Sequence, residues 1–130
     1  MHSLFPTWQP RILSLLRAVT GLLFMQHGGQ KIFGYPVDQR APFDLFSMGG
    51  AAGILELVGG FLILIGLFTR PTAFLLSGFM AVAYFMAHAP QGFWPLVNGG
   101  QLAVMYSFVF LYLFIAGGGE WSLDKLRIKS

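Results

Sequence analysis

Apolar residues gather along the chain into four long stretches separated by prolines, glycines and charges, and their lengths predict helices that cross a bilayer. The first covers residues 10–33, with Leu15, Leu16, Val19, Leu22, Leu23 and Phe24 in its middle and Pro10 where a proline suits a first helical turn. Its second half turns polar at Gln26, His27 and Lys31. Gly34, Pro36, Asp38, Arg40 and Pro42 predict a loop over 34–43. The second stretch covers 45–68 and is interrupted only by Glu56; Thr69-Arg70-Pro71 then predicts a tight hairpin into a third helix over 71–88. Pro90, Gly92 and Pro95 mark another loop. The fourth stretch covers 98–116 and ends at Gly117-Gly118-Gly119, ahead of Trp121-Ser122-Leu123-Asp124 and a short basic tail.

The expected fold class is therefore all-α: an integral membrane four-helix bundle forming one domain over 1–130. Composition strengthens this. Of 130 residues 55% are hydrophobic and 10% charged, against about a quarter charged in an ordinary soluble domain. Mean hydropathy is +0.67. Residues 71–119 contain no Asp, Glu, Lys or Arg, a length that accommodates two crossings of roughly 20 residues each. The N-terminus lacks a short apolar segment followed by a small-residue cleavage site, so the first helix is expected to remain as an anchor. Arg11, Arg17, Arg70, Lys125, Arg127 and Lys129 fall on one side of four crossings and Lys31 and Arg40 on the other, which puts both termini in the cytoplasm. Trp8, Trp94 and Trp121 fall at span boundaries, where amphipathic rings are favoured. The net charge of +3 comes from scattered basic residues flanking apolar segments, so a nucleic-acid partner is not expected; the partner is the lipid bilayer. No cysteine is present, which excludes disulfides, thiolate metal sites and thiol relays on this chain.

Helical spacing gathers the remaining polar residues into four stripes: Thr20, Phe24, His27 and Lys31; Gly49, Gly53, Glu56 and Gly60; Ser77, Ala81, Tyr84 and His88; and Asn98, Gln101, Met105, Phe108 and Tyr112. With the expected topology these stripes meet near the outer leaflet. The candidate pocket is Arg17, His27, Lys31, Glu56, Tyr84, His88, Asn98 and Gln101, open towards the outside. Glu56 lies near mid-membrane on a seam of small residues, where a bare carboxylate costs several kcal/mol, so it must be paired, protonated or wet. Lys31, the two histidines and Arg17 are its candidate partners. Arg17 either reaches towards Glu56 or snorkels to the lower interface. The competing reading is a hydrogen-bonded knot that fixes helix register and holds no ligand. Haem ligation by His27 and His88 is geometrically conceivable, but two histidines at similar depth are thin evidence for it. Zinc held by the same pair with Glu56 has less support still, so no metal site is assigned. Phe and Tyr near the stripes suit a slot for a flat quinone ring, and Gly49-x-x-x-Gly53 reads as a packing motif.

Five ordered motifs resemble the DoxX family of bacterial membrane proteins: His27-Gly28-Gly29-Gln30-Lys31-Ile32-Phe33-Gly34, Glu56-Leu57-Val58-Gly59-Gly60, Gly66-Leu67-Phe68-Thr69-Arg70-Pro71, Asn98-Gly99-Gly100-Gln101-Leu102 and Trp121-Ser122-Leu123-Asp124. The resemblance implies a multi-pass protein of the bacterial cytoplasmic (inner) membrane. Some relatives are subunits of thiosulfate:quinone oxidoreductases and others associate with redox-defence enzymes, which implies a redox setting. Gln101 stands where an acidic residue often follows Asn-Gly-Gly. The expected function is a quinone-interacting subunit of a redox system, with Glu56 as candidate proton carrier and His27 or Lys31 bonded to a quinone oxygen. The alternatives are a noncatalytic anchor or assembly subunit for a redox-enzyme partner, and a small-solute permeation protein acting as a homo-oligomer.

Overall fold

The structure is a computed structural model, which describes residues 4–36 and 46–129. Asp38, Arg40, Pro42 and Leu45 of the expected loop and second stretch lie outside the described residues, as does His2. The described residues form helices α1 (Leu4–Phe33), α2 (Met48–Ile65), α3 (Thr69–Ala83), α4 (Pro95–Asn98), α5 (Gln101–Ala116) and α6 (Leu123–Lys129), with no strand among them. Beyond α3 the chain continues through a π-turn, Tyr84–His88, and a 3₁₀ turn, Ala89–Gln91. Two helical stretches, Met48–Ile65 and Thr69–Gln91, are long and apolar enough to cross a membrane, and α5 is an apolar helix of 16 residues.

α1 starts at Leu4, ahead of Pro10, which sits inside the helix. Proline removes a helical donor there, and its own carbonyl serves as an acceptor for two further groups. The Pro10 carbonyl accepts from the Ser14 hydroxyl at 3.1 Å and from the Glu120 backbone N–H at 3.2 Å. α2 opens on Ser47, whose hydroxyl accepts from the Gly50 N–H. It closes at Gly66, which takes the left-handed conformation (φ +70) while N–H groups of Gly66 and Leu67 return to the carbonyls of Ile63 and Leu62. α3 follows after only Leu67 and Phe68.

The chain forms two compact units, one made of residues 1–68 and 118–130 and the other of residues 69–117. In the first, α1 and α2 run antiparallel and touch at two glycine contacts. A Cβ placed on Gly21 would lie 2.5 Å from the Leu64 nitrogen, and one on Gly28 would lie 2.6 Å from the Gly53 carbonyl oxygen. Gly60 faces Gly21 as Gly53 faces Gly28, so glycines one heptad apart on each helix bring the two backbones together. In the second unit, α3 and α5 pair through a reciprocal exchange. The Ser77 hydroxyl donates to the Ser107 carbonyl at 2.8 Å, and the Ser107 hydroxyl donates to the Ser77 carbonyl at 3.0 Å. Fully buried Ala73 and Leu76 on α3 and Phe110 and Leu113 on α5 fill that pair.

Polarity is distributed the reverse of a soluble domain. Ser14, Arg17 and Thr20 of α1 are buried, while Ile12, Leu15, Leu16, Val19, Leu22 and Leu23 on the same helix are exposed. Exposed apolar side chains continue on α2, α3 and α5. Exposed apolar side chains in this number suit an apolar solvent.

Arg17 neither reaches Glu56 nor snorkels. Its guanidinium donates from Nε to the Ile63 carbonyl at 2.9 Å and from its terminal nitrogens to the carbonyls of Leu64, Gly118 and Trp121. Ile63 and Leu64 belong to the last turn of α2, whose carbonyls lack their usual i+4 donors, so a cation there adds to the Gly66 N–H that caps Ile63 and meets the negative end of the helix dipole. The segment 118–124 is drawn into the same knot. The Trp121 N–H donates to the Ser14 hydroxyl at 2.9 Å, the Asp124 N–H donates to the Gly66 carbonyl at 2.8 Å, and the Asp124 carboxylate accepts from the Phe68 N–H at 2.7 Å. A Cβ on Gly66 would strike both Ser122 and the Arg17 guanidinium, at 2.6 and 2.9 Å.

Two outcomes follow from this packing. Gly21→Leu forces α1 off α2 and lowers stability by roughly 1–3 kcal/mol or more, read as a drop in the thermal unfolding midpoint in detergent. Arg17→Ala strands the α2 carbonyls, at roughly 1–3 kcal/mol for each left unpaired. Arg17→Lys restores only part of that loss, because an ammonium lacks the planar fork, and limited proteolysis of the 118–129 segment detects its release.

Candidate functional site

Within the first unit the antiparallel seam also places the buried carboxylate. Lys31 lies level with Gly53 across the seam and Glu56 level with Gly28, so their Cα atoms are offset by ~4.5 Å along the axes. Side chains lean towards the N-terminus of their own helix. In an antiparallel pair the two therefore lean towards each other and close the gap. The Lys31 ammonium sits 2.9 Å from Oε1 and 3.0 Å from Oε2 of Glu56, straddling the carboxylate. The Glu56 side chain is 6% exposed and that of Lys31 27%, so the carboxylate is held in the helix seam and the ammonium is partly exposed. Gly53 makes this approach feasible, since a Cβ there would lie 3.0 Å from the Lys31 Cβ. His27, one turn before Lys31, is half-buried.

In the second unit, Asn98 is 3% exposed and organises a separate cluster. Its Oδ1 accepts from the Gly100 N–H at 2.8 Å, and its Nδ2 donates to the Gly92 carbonyl and the Tyr84 hydroxyl oxygen, both at 2.9 Å. The backbone groups fix the amide's orientation: an N–H cannot accept and a carbonyl cannot donate. His88 Nδ1 lies 3.1 Å from the Asn98 carbonyl oxygen. Gly99 takes φ +76, and a Cβ on Gly100 would lie 2.6 Å from the Tyr84 ring. The Asn-Gly-Gly sequence thus ends α4, starts α5 and seats Tyr84.

The structure brings His27, Lys31 and Glu56 together in one unit and Tyr84, His88 and Asn98 together in the other. Arg17 stands ~21 Å from Lys31 along α1, committed to backbone carbonyls. Gln101 is exposed and makes no side-chain hydrogen bond among the described residues. The stripe expected from Asn98 through Gln101, Met105, Phe108 and Tyr112 does not form an inner face. α5 buries Ala103, Tyr106, Phe110 and Leu113 instead, and the left-handed turn at Gly99 takes Asn98 out of that helix and out of phase with Gln101. The stripes on α1 and α2 do face inward: Thr20, Phe24, Gly53, Glu56 and Gly60 are buried. Ser14, Ser122 and Asp124 carry the Arg17 knot although helical spacing does not single them out; the Trp121-Ser122-Leu123-Asp124 motif is their signal in the sequence. Among the described residues no three His, Cys, Asp or Glu side chains are placed to hold a metal ion.

Comparison with known proteins agrees with the motifs. The DoxX family model matches residues 12–89. An uncharacterized protein of Haemophilus influenzae is 41% identical over 94% of this chain and 95% of its own length. An uncharacterized membrane protein of Mycobacterium tuberculosis is 30% identical over 92% of this chain and 88% of its own. No solved structure matches the chain. Family model, near-full-length relatives and an apolar helical surface with polar side chains turned inward lead to one conclusion: this chain belongs to the DoxX family and is a membrane protein.

Proposed function

We propose that the chain is a subunit of a redox system in the bacterial cytoplasmic membrane, and that the Lys31–Glu56 pair with His27 is its proton-handling, quinone-facing site. The observation that carries this is the geometry of the pair: a carboxylate held inside the α1–α2 seam whose partner ammonium is partly exposed. Reduction of a quinone takes up protons along with electrons. A carboxylate that exchanges its proton across a lysine towards the outside suits that task. His27 and Lys31 supply hydrogen-bond donors for a quinone oxygen, and Glu56 relays protons taken up through Lys31, while the electrons come from the partner enzyme of the redox system.

The same proposal includes a four-helix bundle with four crossings, α1, α2, α3 with its extension, and α5, and with both termini in the cytoplasm. The excess of Lys and Arg around Arg11, Arg70 and α6 supports this orientation. Trp8, Trp94 and Trp121, all exposed near helix ends, support the boundaries. A second reading, a noncatalytic anchor for a partner enzyme, is favoured by one observation. The Arg17 guanidinium makes four hydrogen bonds and the Asn98 amide three, all to backbone and neighbouring side chains.

Titrating the full-length protein in lipid nanodiscs with decylubiquinone separates these readings. Saturable binding, weakened about tenfold by Glu56→Gln or Lys31→Met in variants that still unfold cooperatively, is expected from the redox site. Absence of binding favours the anchor. Reporters fused to the C-terminus are expected to be active only in cytoplasmic forms, and a periplasmic signal overturns the orientation.

A further inference from the structure

The second unit holds a histidine whose chemistry is fixed by the backbone. The Asn98 carbonyl oxygen can only accept, so His88 Nδ1 carries the hydrogen and donates it at 3.1 Å. In the neutral ring this leaves Nε2 with a free lone pair. Tyr84 is fixed in the complementary sense. Its oxygen accepts from Asn98 Nδ2, so its own hydroxyl proton remains to be donated. Neither His88 Nε2 nor the Tyr84 proton has a partner among the described residues.

The two rings are held side by side by an unusual turn. The Ala89 N–H bonds back to the Tyr84 carbonyl, closing a π-turn over Tyr84–His88, a distortion that recurs at functional sites. The rings stack with centroids 6.2 Å apart and planes 28° apart. Both residues are half-buried, and Phe85 and Trp94 nearby in sequence are exposed. One acceptor, one donor and an aromatic surround make a recognition pair for a ring that carries a hydroxyl.

We infer that Tyr84 and His88 form a hydroxyl-recognising site for a hydroquinone, the reduced form of the ligand class assigned above; the inference rests on that reading. A hydroxyl donates to His88 Nε2 and accepts from Tyr84, whereas a quinone carbonyl can only accept and leaves Nε2 unmatched. The site therefore distinguishes the reduced from the oxidised ligand.

Nitrogen-15 histidine NMR of the full-length protein in nanodiscs tests this, with the His88 signal assigned by His88→Gln and decylubiquinol or decylubiquinone as the probe. The expected result is an unprotonated Nε2 resonance that moves on adding the quinol and not the quinone. Quinol is expected to bind about tenfold more tightly than quinone, with that preference lost in His88→Gln and Tyr84→Phe. Tyr84→Phe leaves an Asn98 hydrogen unpaired, so if it fails to fold His88→Gln decides. An unmoved His88 resonance, with quinol affinity equal in wild type and His88→Gln, overturns the inference while leaving the Lys31–Glu56 site standing if Glu56→Gln still weakens binding. No saturable binding of either form to the wild type overturns both.

Discussion

Gly21 and Gly28 on α1 meet Gly60 and Gly53 on α2 so closely that a single added Cβ would fall 2.5–3.0 Å from the facing helix. Much in the first unit depends on this contact. It sets the antiparallel register, and the register decides which polar side chains can find each other. Between the two glycine contacts lies Glu56, and the lean of each side chain towards its own helix N-terminus brings Lys31 to it. A helix pair held a few ångströms further apart by alanines would leave the carboxylate without its partner in an apolar environment.

The polar residues then divide by what remains of their hydrogen-bonding capacity. Arg17 donates to four backbone carbonyls and joins the end of α2 to residues 118–121. Asn98 satisfies both of its polar atoms inside a loop and fixes the start of α5. Such groups hold the fold together, and in a setting without water their satisfaction is close to obligatory. Lys31, Tyr84 and His88 differ, because each is half-buried and keeps a donor or acceptor beyond the bond that positions it. These residues are ordered by the architecture without being consumed by it.

Much of this is legible in the chain itself. Four apolar stretches, the stop at Gly117, and the inward faces of α1 and α2 follow from hydropathy and from a repeat of 3.6 residues, which are local properties, whereas the second stretch reads through to 68 and the stop at Gly66 emerges only in the structure. So does the need for a partner at Glu56, since a lone carboxylate in an apolar segment announces its own cost. The family motifs are visible there too, including Trp121-Ser122-Leu123-Asp124, although the part this last one plays around Arg17 is not.

Only the tertiary structure decided which partner each polar group takes. Arg17 belongs with the α2 C-terminus because carbonyls left over at a helix end, more than 40 residues away in sequence, attract a cation more specifically than a distant carboxylate does. Asn98 and Gln101 share a stripe in an unbroken helix, but Gly99 takes a left-handed turn and breaks the phase between them. The tautomer of His88 was likewise undetermined until a backbone carbonyl faced it. Sequence specifies what each segment must bury and what each side chain can bond; which of those bonds form depends on helix register and on single backbone turns, which are set by close contacts between residues far apart along the chain.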